Sequence, residues 1–285
     1  MAVVNTNVGA SVAQAALVKN GRDLSSAMEQ LSTGRKINSA GDNASGLAIS
    51  NRMTSQINGL GAAIRNANDA ISMINTAEGA LEEITDMLQR MRELAVQSGT
   101  GTTTSEDRDY LNAEFSALRS EIDRIADNTE WNGNTILDHT ANGASANVSY
   151  QVGVDGGMTV AVDFGNFTNT SSGTMTDLAS ATLVGSTVAV GLSVASVAIT
   201  RLDTAIEAVS NQRATFGAAS NRLTHAVDNL TNVKVNAEAS RSRILDTDYA
   251  ESTAELARTQ IIQQAGTAML AQANQLPQTV LALLQ

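Results

Sequence analysis

Large apolar residues recur every seven positions at both ends of the chain. At the N-terminal end the line is Val3, Ala10, Leu17, Leu24 and Leu31, and at the C-terminal end it is Ile262, Met269, Leu276 and Leu283. Each line predicts a long helix with a narrow apolar seam. A lone helix of that kind gains little in water, because it has nothing to bury its seam against. The polar faces carry amides and hydroxyls instead of charge. All 18 basic and 29 acidic side chains lie between Lys19 and Arg258. Uncharged polar faces suit helices that end up enclosed among others, where an unpaired charge costs several kcal/mol, roughly. The two ends are therefore expected to pair with each other and with other copies, and to order on assembly. The glutamines and asparagines of the tail break its apolar run, so it does not read as a membrane span.

The pattern between the ends is also helical for most of its length. Residues 3–33 form the first expected helix, with Gly34 as its C-cap. Gly21 inside it marks either a tolerated glycine or a close helix–helix approach. Residues 34–46 read as a connector in which Asp42 and Asn43 are turn and cap residues; the ligand alternation of a calcium loop is missing. A long helix then runs over about 47–98. Its apolar positions, from Ile57 through Leu60, Ile64, Ala67, Ile71, Ile74, Ala77, Leu81, Ile84, Leu88 and Met91 to Ala95, are spaced three and four apart. A helix of fifty residues is roughly 75 Å long, so this half of the chain reads as a rod. Thr104 and Asp107 open the next helix with a capping box, and a short connection folds it back antiparallel. It ends near Asn128. A helical pattern returns from about Val194, and a basic connector with Arg241 and Arg243 precedes the tail.

The middle changes period. Trp131-Asn132-Gly133-Asn134 reads as a turn. Val148, Tyr150, Val152 and Val154 alternate, as do Met158, Val160, Val162 and Phe164, on either side of Asp155-Gly156-Gly157. That is a β-hairpin signal. Residues 166–176 read as an exposed loop, with a site for O-linked sugar as the alternative to a plain solvated loop. The fold class that follows is mainly α: a long antiparallel helical bundle or coiled-coil rod with a small β-hairpin insert near the middle, at about 130–190.

Composition narrows the function. Only 3% of residues are aromatic, one is proline and none is cysteine. A globular enzyme of this length would carry roughly 5% proline. The net charge of −11 argues against nucleic acid as a partner. No signal peptide is visible, because the first basic side chain is Lys19 and no sustained apolar core follows. His139 and His225, the only histidines, do not form a zinc pair. There is no Walker loop, no dinucleotide fingerprint and no nucleophile elbow. No catalytic, metal-binding or cofactor site is expected.

Four stretches then carry a specific likeness. Leu31-Ser-Thr-Gly-Arg-Lys-Ile-Asn-Ser-Ala-Gly-Asp-Asn-Ala-Ser-Gly-Leu-Ala-Ile-Ser50, Gln89-Arg-Met-Arg-Glu-Leu-Ala-Val-Gln97, Ser240-Arg-Ser-Arg-Ile-Leu-Asp-Thr-Asp-Tyr249 and the tail from Gln263 to Leu284 resemble bacterial flagellin, over roughly residues 1–140 and 190–285. The middle looks like a shortened form of the family's variable region. The resemblance implies a structural subunit that self-assembles as a homopolymer into the extracellular flagellar filament. Residues 1–44 and 240–285 would form an inner-tube domain and 45–239 an outer-tube domain. It implies export by the flagellar type III route with an export chaperone, contact with the filament cap and hook-junction proteins, and no membrane insertion. It also implies detection by host Toll-like receptor 5 through Gln89, Arg90, Arg92, Glu93, Leu94 and Glu114, with Met91 the main departure in that motif. Without the resemblance, Arg90 and Glu114 read simply as a weak surface ion pair. The alternatives kept open are a hook–filament junction protein and a minor auxiliary filament subunit.

Overall fold

The structure is a computed structural model that describes residues 7–138, 147–168, 181–184 and 187–282, with side chains described for all of these except Val188 and 276–282. Among them are five helices and two short antiparallel strand pairs. The order is α1 (Val8–Thr33), α2 (Ala40–Ser98), α3 (Ser105–Asn128), β1 (Glu130–Trp131), β2 (Asn134–Thr135), β3 (Asn147–Gln151), β4 (Thr159–Asp163), α4 (Val188–Leu245) and α5 (Tyr249–Ala282). The chain divides into two compact units. Unit 1 is residues 1–57 with 235–285, and unit 2 is residues 58–234.

Unit 1 is organised by the pairing of α1 with α5. Asn7 caps α1 by accepting the Ala10 N–H at 3.0 Å, so this helix starts at Val8; residues 3–6 of the expected helix lie outside the described residues. Gly34 ends it in the left-handed conformation, φ 69°, with its N–H on Gln30 O at 2.9 Å, as the sequence predicts. The sheltered positions of α1 are Ala10, Ala13, Leu17, Asn20, Leu24, Ala27 and Leu31. Their spacing of three and four is a coiled-coil seam, of which the seven-apart series is one line. On α5 the matching positions are Ser252, Leu256, Thr259, Gly266, Leu270 and Ala273. Two asparagines tie the helices together antiparallel. Asn20 Nδ2 donates to Thr259 O at 2.8 Å, and Asn7 Nδ2 donates to Ala273 O at 2.8 Å. In this structure each end therefore has a helical partner within one chain.

The close approach falls at Gly266, where a Cβ would lie 2.7 Å from Leu17 Cδ2. Gly21, the other candidate for such a contact, has open space around it and is simply tolerated.

Below this pair, the two connectors bind each other. Lys36 N–H donates to Leu245 O at 2.7 Å, and Thr247 N–H donates to Gly34 O at 3.1 Å. Asp42 Oδ2 accepts the N–H groups of Ser39 and Asn38 at 2.8 and 3.0 Å, which holds its carboxyl below the usual carboxylate range. Asn43 breaks the helical backbone with φ −162° and ψ 97°. Its Oδ1 accepts the Gly46 N–H at 2.9 Å, so the regular part of α2 begins one residue later. Gly46 leaves room for buried Ile37, whose Cδ1 would lie 2.6 Å from a Cβ there. Asp42 and Asn43 are thus cap residues, as expected. The expected basic connector is different: α4 continues as helix through Arg241 and Arg243 to Leu245. The chain turns only at Asp246–Asp248, where Asp248 Oδ1 caps α5 by accepting the Ala250 N–H at 2.8 Å.

Unit 2 is built on α2. Ala67, Ala70, Ile74, Ala77, Leu81, Ile84, Leu88 and Met91 are all buried. Phe115, Ile122 and Ala126 of α3 and Ala198, Leu202, Ala205, Val209, Phe216 and Leu223 of α4 join the same core. Part of α4 has a mean hydropathy of 1.4 and would pass for a membrane span by composition alone. Ala195, Ala198 and Leu202 of this helix are buried in unit 2, while 28% of the apolar stretch is buried in all. The α3 capping box forms as predicted, with the Asp107 N–H on Thr104 Oγ1 at 3.2 Å and the Thr104 N–H on Asp107 Oδ2 at 3.1 Å. Asn132 and Gly133 turn β1 into β2 with φ 51° and 79°. The β3–β4 register pairs Val148 with Val162 and Tyr150 with Val160, so the predicted alternation holds. This hairpin is docked on the helices. Asn66 Nδ2 donates to Gln151 O at 3.1 Å, and Tyr150 O–H donates to Met73 Sδ at 2.7 Å. Burial, with Asp69 nearby, pushes the Tyr150 hydroxyl up to about 12.

Arg108 is buried at the C-terminal end of α2, where its Nε donates to Ser98 O at 3.0 Å and its Nη2 to Thr100 O at 3.2 Å. Ser98 O is one of the carbonyls that the helix end leaves without an intrahelical donor, whereas Thr100 O, in the turn beyond, also accepts the Thr103 N–H at 3.2 Å. Gly191 makes space for the guanidinium, since a Cβ there would lie 2.9 Å from Arg108 Cζ. Of the loop expected over 166–176, the described part is packed: Thr168 is buried and its N–H donates to Asn166 Oδ1 at 3.0 Å. Residues 169–176 lie outside the described residues.

The α1–α5 contact makes a direct prediction. Gly266→Val should cost about 2 kcal/mol of pairing by overpacking against Leu17, and so speed tryptic cleavage at Lys19 and Arg22 in the monomer about thirtyfold. Adding Leu17→Ala should restore part of the protection. An unchanged cleavage rate would place the two helices farther apart.

Candidate functional site

Two surfaces carry the residues that the sequence singles out. The first is the α1–α5 pair. Ala10, Leu17, Leu24 and Leu31 lie half-buried on the face of α1 that meets α5. Ile262 and Met269 lie on a different line from the α5 residues that meet α1, and are 41% and 64% exposed. The contact line itself runs through Thr259, Gly266 and Ala273. Sequence reading passed over it because its members are small or polar, and a search for large apolar residues selects the flank instead. Val3 and Leu283 lie outside the described residues, as does the Leu276 side chain. The exposed side of the pair carries Val8, Val12, Val18 and Ile261 as well. Gln260, Gln263, Gln264 and Thr267 line a shallow groove of about 220 Å³ there. Toward the two termini, over 8–18 and 259–275, this is an apolar and amide surface without charge, able to bury area against another such surface.

The second surface lies on α2 and α3. The Arg90 guanidinium is held between two carboxylates. Its Nη1 is 3.0 Å from Glu93 Oε2, and its Nη2 is 2.9 Å from Glu114 Oε1. Those bonds raise its pKa further, first through Glu93 and then Glu114, so it stays charged at any accessible pH. Arg92 reaches across to α4, with its Nε 2.6 Å from Asp203 Oδ1. Gln89, Arg92 and Glu93 line an open groove of about 610 Å³ together with Val96, Gln97 and Thr100.

Leu94 does not belong to this surface. It is 1% exposed and packs in the core with Leu88, Met91 and Ala95. Four residues along a helix advance about 400°, which rotates Leu94 some 40° from Arg90 onto the buried face. A ligand cannot touch it on the folded monomer. The exposed apolar residue of this region is Val96, half exposed on the groove wall. A three-and-four count would have placed Leu94 with Leu88 and Met91 inside.

Family models match both ends of the chain. The bacterial flagellin N-terminal helical region matches residues 4–142, and the bacterial flagellin C-terminal helical region matches residues 199–284. Together they span well over half of the sequence. The chain belongs to the bacterial flagellin family.

A flagellin of Halalkalibacterium halodurans is 44% identical over 283 residues, covering 99% of this chain and all of that protein. Flagellin A of Vibrio cholerae is 36% identical over an alignment of 380 positions that covers 99% of both chains. With 285 residues here, the Vibrio protein carries segments that this flagellin lacks. The stretch between the two family matches, 143–198, holds the β3–β4 hairpin. A putative flagellar hook-associated protein from Vibrio parahaemolyticus has the same fold, with a TM-score of 0.58 at 13% identity over 72% of this chain and all of that one. As a member of the flagellin family, this chain is a structural subunit of the flagellar filament, the organelle of bacterial motility.

The two kinds of residue in the Arg90 region separate under substitution. Leu94→Ala should lower the unfolding free energy of this flagellin by about 3 kcal/mol through the cavity it leaves. Arg90→Ala should leave the denaturant midpoint near wild type, since its partners stay solvated. Chemical denaturation checks both; a silent Leu94→Ala would contradict its burial.

Proposed function

We propose that this flagellin leaves the cell by the flagellar type III route with an export chaperone and polymerises outside it under the cap protein, onto hook-junction proteins. In this reading residues 1–44 and 240–285 form the inner tube of the filament and residues 45–239 the outer tube. The observation that carries it is the α1–α5 pair, whose terminal stretches 1–18 and 259–285 carry no charged side chain. Its contact line is satisfied within the chain, yet Val8, Val12, Ile261, Ile262 and Met269 remain open to solvent on the same two helices. Exposed apolar residues on so small a unit are a liability for a free monomer and an asset for a polymer. The seam residues of α1 hold the pair together, and Ile262 and Met269 meet the next copy.

Seeded polymerisation followed by light scattering tests this. Met269→Asp would bury an unpaired carboxylate in every subunit contact and should abolish growth while leaving monomer helicity intact. Normal growth of the folded variant would remove Met269 from the contact. The runner-up, a hook–filament junction protein or a minor auxiliary subunit, shares this fold. Cells without the gene separate the two: loss of the whole filament identifies the major subunit, and an intact filament identifies the auxiliary one.

A second reading rests on the Arg90 cluster. The monomer is detected by host Toll-like receptor 5 through Gln89, Arg90, Arg92, Glu93 and Glu114, while Leu94 supports the helix from beneath. What favours it is that Glu93 and Glu114 already hold the Arg90 guanidinium in place, so little side-chain entropy remains to be lost on binding. In a receptor reporter assay, Arg90→Ala and Glu114→Ala should each lower monomer potency about tenfold. Unchanged potency in the folded variants would take the patch out of the site.

A further inference from the structure

Nine methionines and no cysteine make the thioether the oxidisable sulfur of this chain. A two-electron oxidant such as a peroxide therefore meets no thiol, and reacts where a methionine is exposed. Met73 and Met91 are buried in the core of unit 2, and Met53 and Met87 are half-buried. Among the described residues, three methionines are open: Met28 on α1 at 49%, Met158 on the β3–β4 hairpin at 52%, and Met269 on α5 at 64%. Met158 belongs to unit 2, and its sulfur sits over Gly153, where a Cβ would lie 2.5 Å from it. Met28 adjoins Glu29, in the charged part of α1. Of the three, only Met269 stands in the uncharged stretch 259–285, on one helical line with Ile262 and Ala265. A long side chain on a helix leans toward the helix N-terminus, which sets Met269 over the turn that holds Ala265 and Gly266. Neither of those residues has a side-chain donor.

We propose that Met269 is an oxidation site that stops polymerisation: a peroxide converts its thioether to the sulfoxide in the free monomer, and the oxidised copy no longer joins the polymer. The inference rests on the filament reading, which sets Met269 against the next copy. In the step, the sulfur attacks one oxygen of hydrogen peroxide, and an S–O bond forms as the O–O bond breaks. The proton of the transferred hydroxyl passes to the departing hydroxide, which leaves as water. Sulfur is oxidised by two electrons and the peroxide is reduced by two. The product carries a hydrogen-bond acceptor where an apolar thioether stood. In the monomer water solvates that oxygen, so the fold is kept. In the contact between copies it is buried beside Ile262 and Ala265 without a donor, and association weakens. A dithiol acting through a methionine sulfoxide reductase removes the oxygen as water and becomes a disulfide, so the stop is reversible. A copy already in the polymer has Met269 covered and escapes it.

Monomer is treated with hydrogen peroxide until about half of Met269 carries the added oxygen by peptide mass spectrometry, freed of peroxide, and grown on the protein's own filament seeds. Sulfoxide at Met269 should be depleted about tenfold in the pelleted polymer relative to the soluble remainder, while sulfoxide at Met28 and Met158 is shared evenly. A variant with Met28→Leu and Met158→Leu should still lose growth to peroxide and regain it with the reductase and a dithiol. Met269→Leu should grow after treatment as its own untreated sample does. Preformed filament should form the Met269 sulfoxide at least about tenfold more slowly than monomer. Equal Met269 sulfoxide in pellet and supernatant, equal oxidation of monomer and filament, or the same loss of growth in Met269→Leu would overturn the stop while leaving the polymer intact. Untreated protein that fails to grow on its seeds would overturn the filament reading itself, and this inference with it.

Discussion

A helix with one apolar face must bury that face, and this chain has almost nothing but long helices with which to do it. One proline and few aromatics leave few breaks and few large residues to fill a globule. Burial therefore falls to lengthwise contact between helices, at positions spaced three and four apart. The core of unit 2 follows this along α2 from Ala67 to Met91, and unit 1 follows it along α1 from Ala10 to Leu31. The two cases differ in what is packed. Unit 2 fills its seam with Leu, Ile, Met and Phe as well as Ala, from three helices. Unit 1 has only two terminal helices for its seam, and alternates Leu with Ala, Asn, Thr and Gly. The second contact is thinner and leaves apolar side chains outside, which is what a subunit needs if part of its stability is to come from its neighbours.

Polar groups set where these contacts begin and end. Asn7, Asn43, Thr104 and Asp248 each cap a helix, and Gly34 closes α1. Asn20 is a polar residue within the seam, bonded to the Thr259 carbonyl. A polar group at such a position favours one alignment over others at some cost in stability. Arg108 does similar work at the other end of α2, where its guanidinium donates to Ser98 O and Thr100 O.

Most of the helical pattern was legible because periodicity survives without its partner. The capping box at Thr104, the cap roles of Asp42 and Asn43, the C-cap at Gly34 and the Tyr150–Val160 alternation all read directly from residue type and spacing. The misreadings share a cause. A pattern of large apolar residues does not reveal contacts made by small ones. On α5 that selected Ile262 and Met269 over Gly266, whose lack of a side chain is what lets Leu17 approach. On α2 it grouped Leu94 with Arg90 by their separation of four, although 40° of rotation was enough to carry Leu94 into the core. The continuation of α4 through Arg241 and Arg243 was hidden because clustered arginines resemble a connector. The actual break depends on a backbone bond from Lys36, some two hundred residues away. Contacts of that kind leave no local signature.

In the proposed filament, α1 and α5 pair within one chain and their outer side is then covered by other copies. Amide hydrogen exchange over residues 8–33 and 249–275, in the monomer and in the filament, tests it most directly. Both helices should show measurable protection in the monomer, and a gain of at least about a hundredfold on assembly. Random-coil exchange in the monomer would contradict the intramolecular pair, and equal protection in the two states would contradict its role in the polymer.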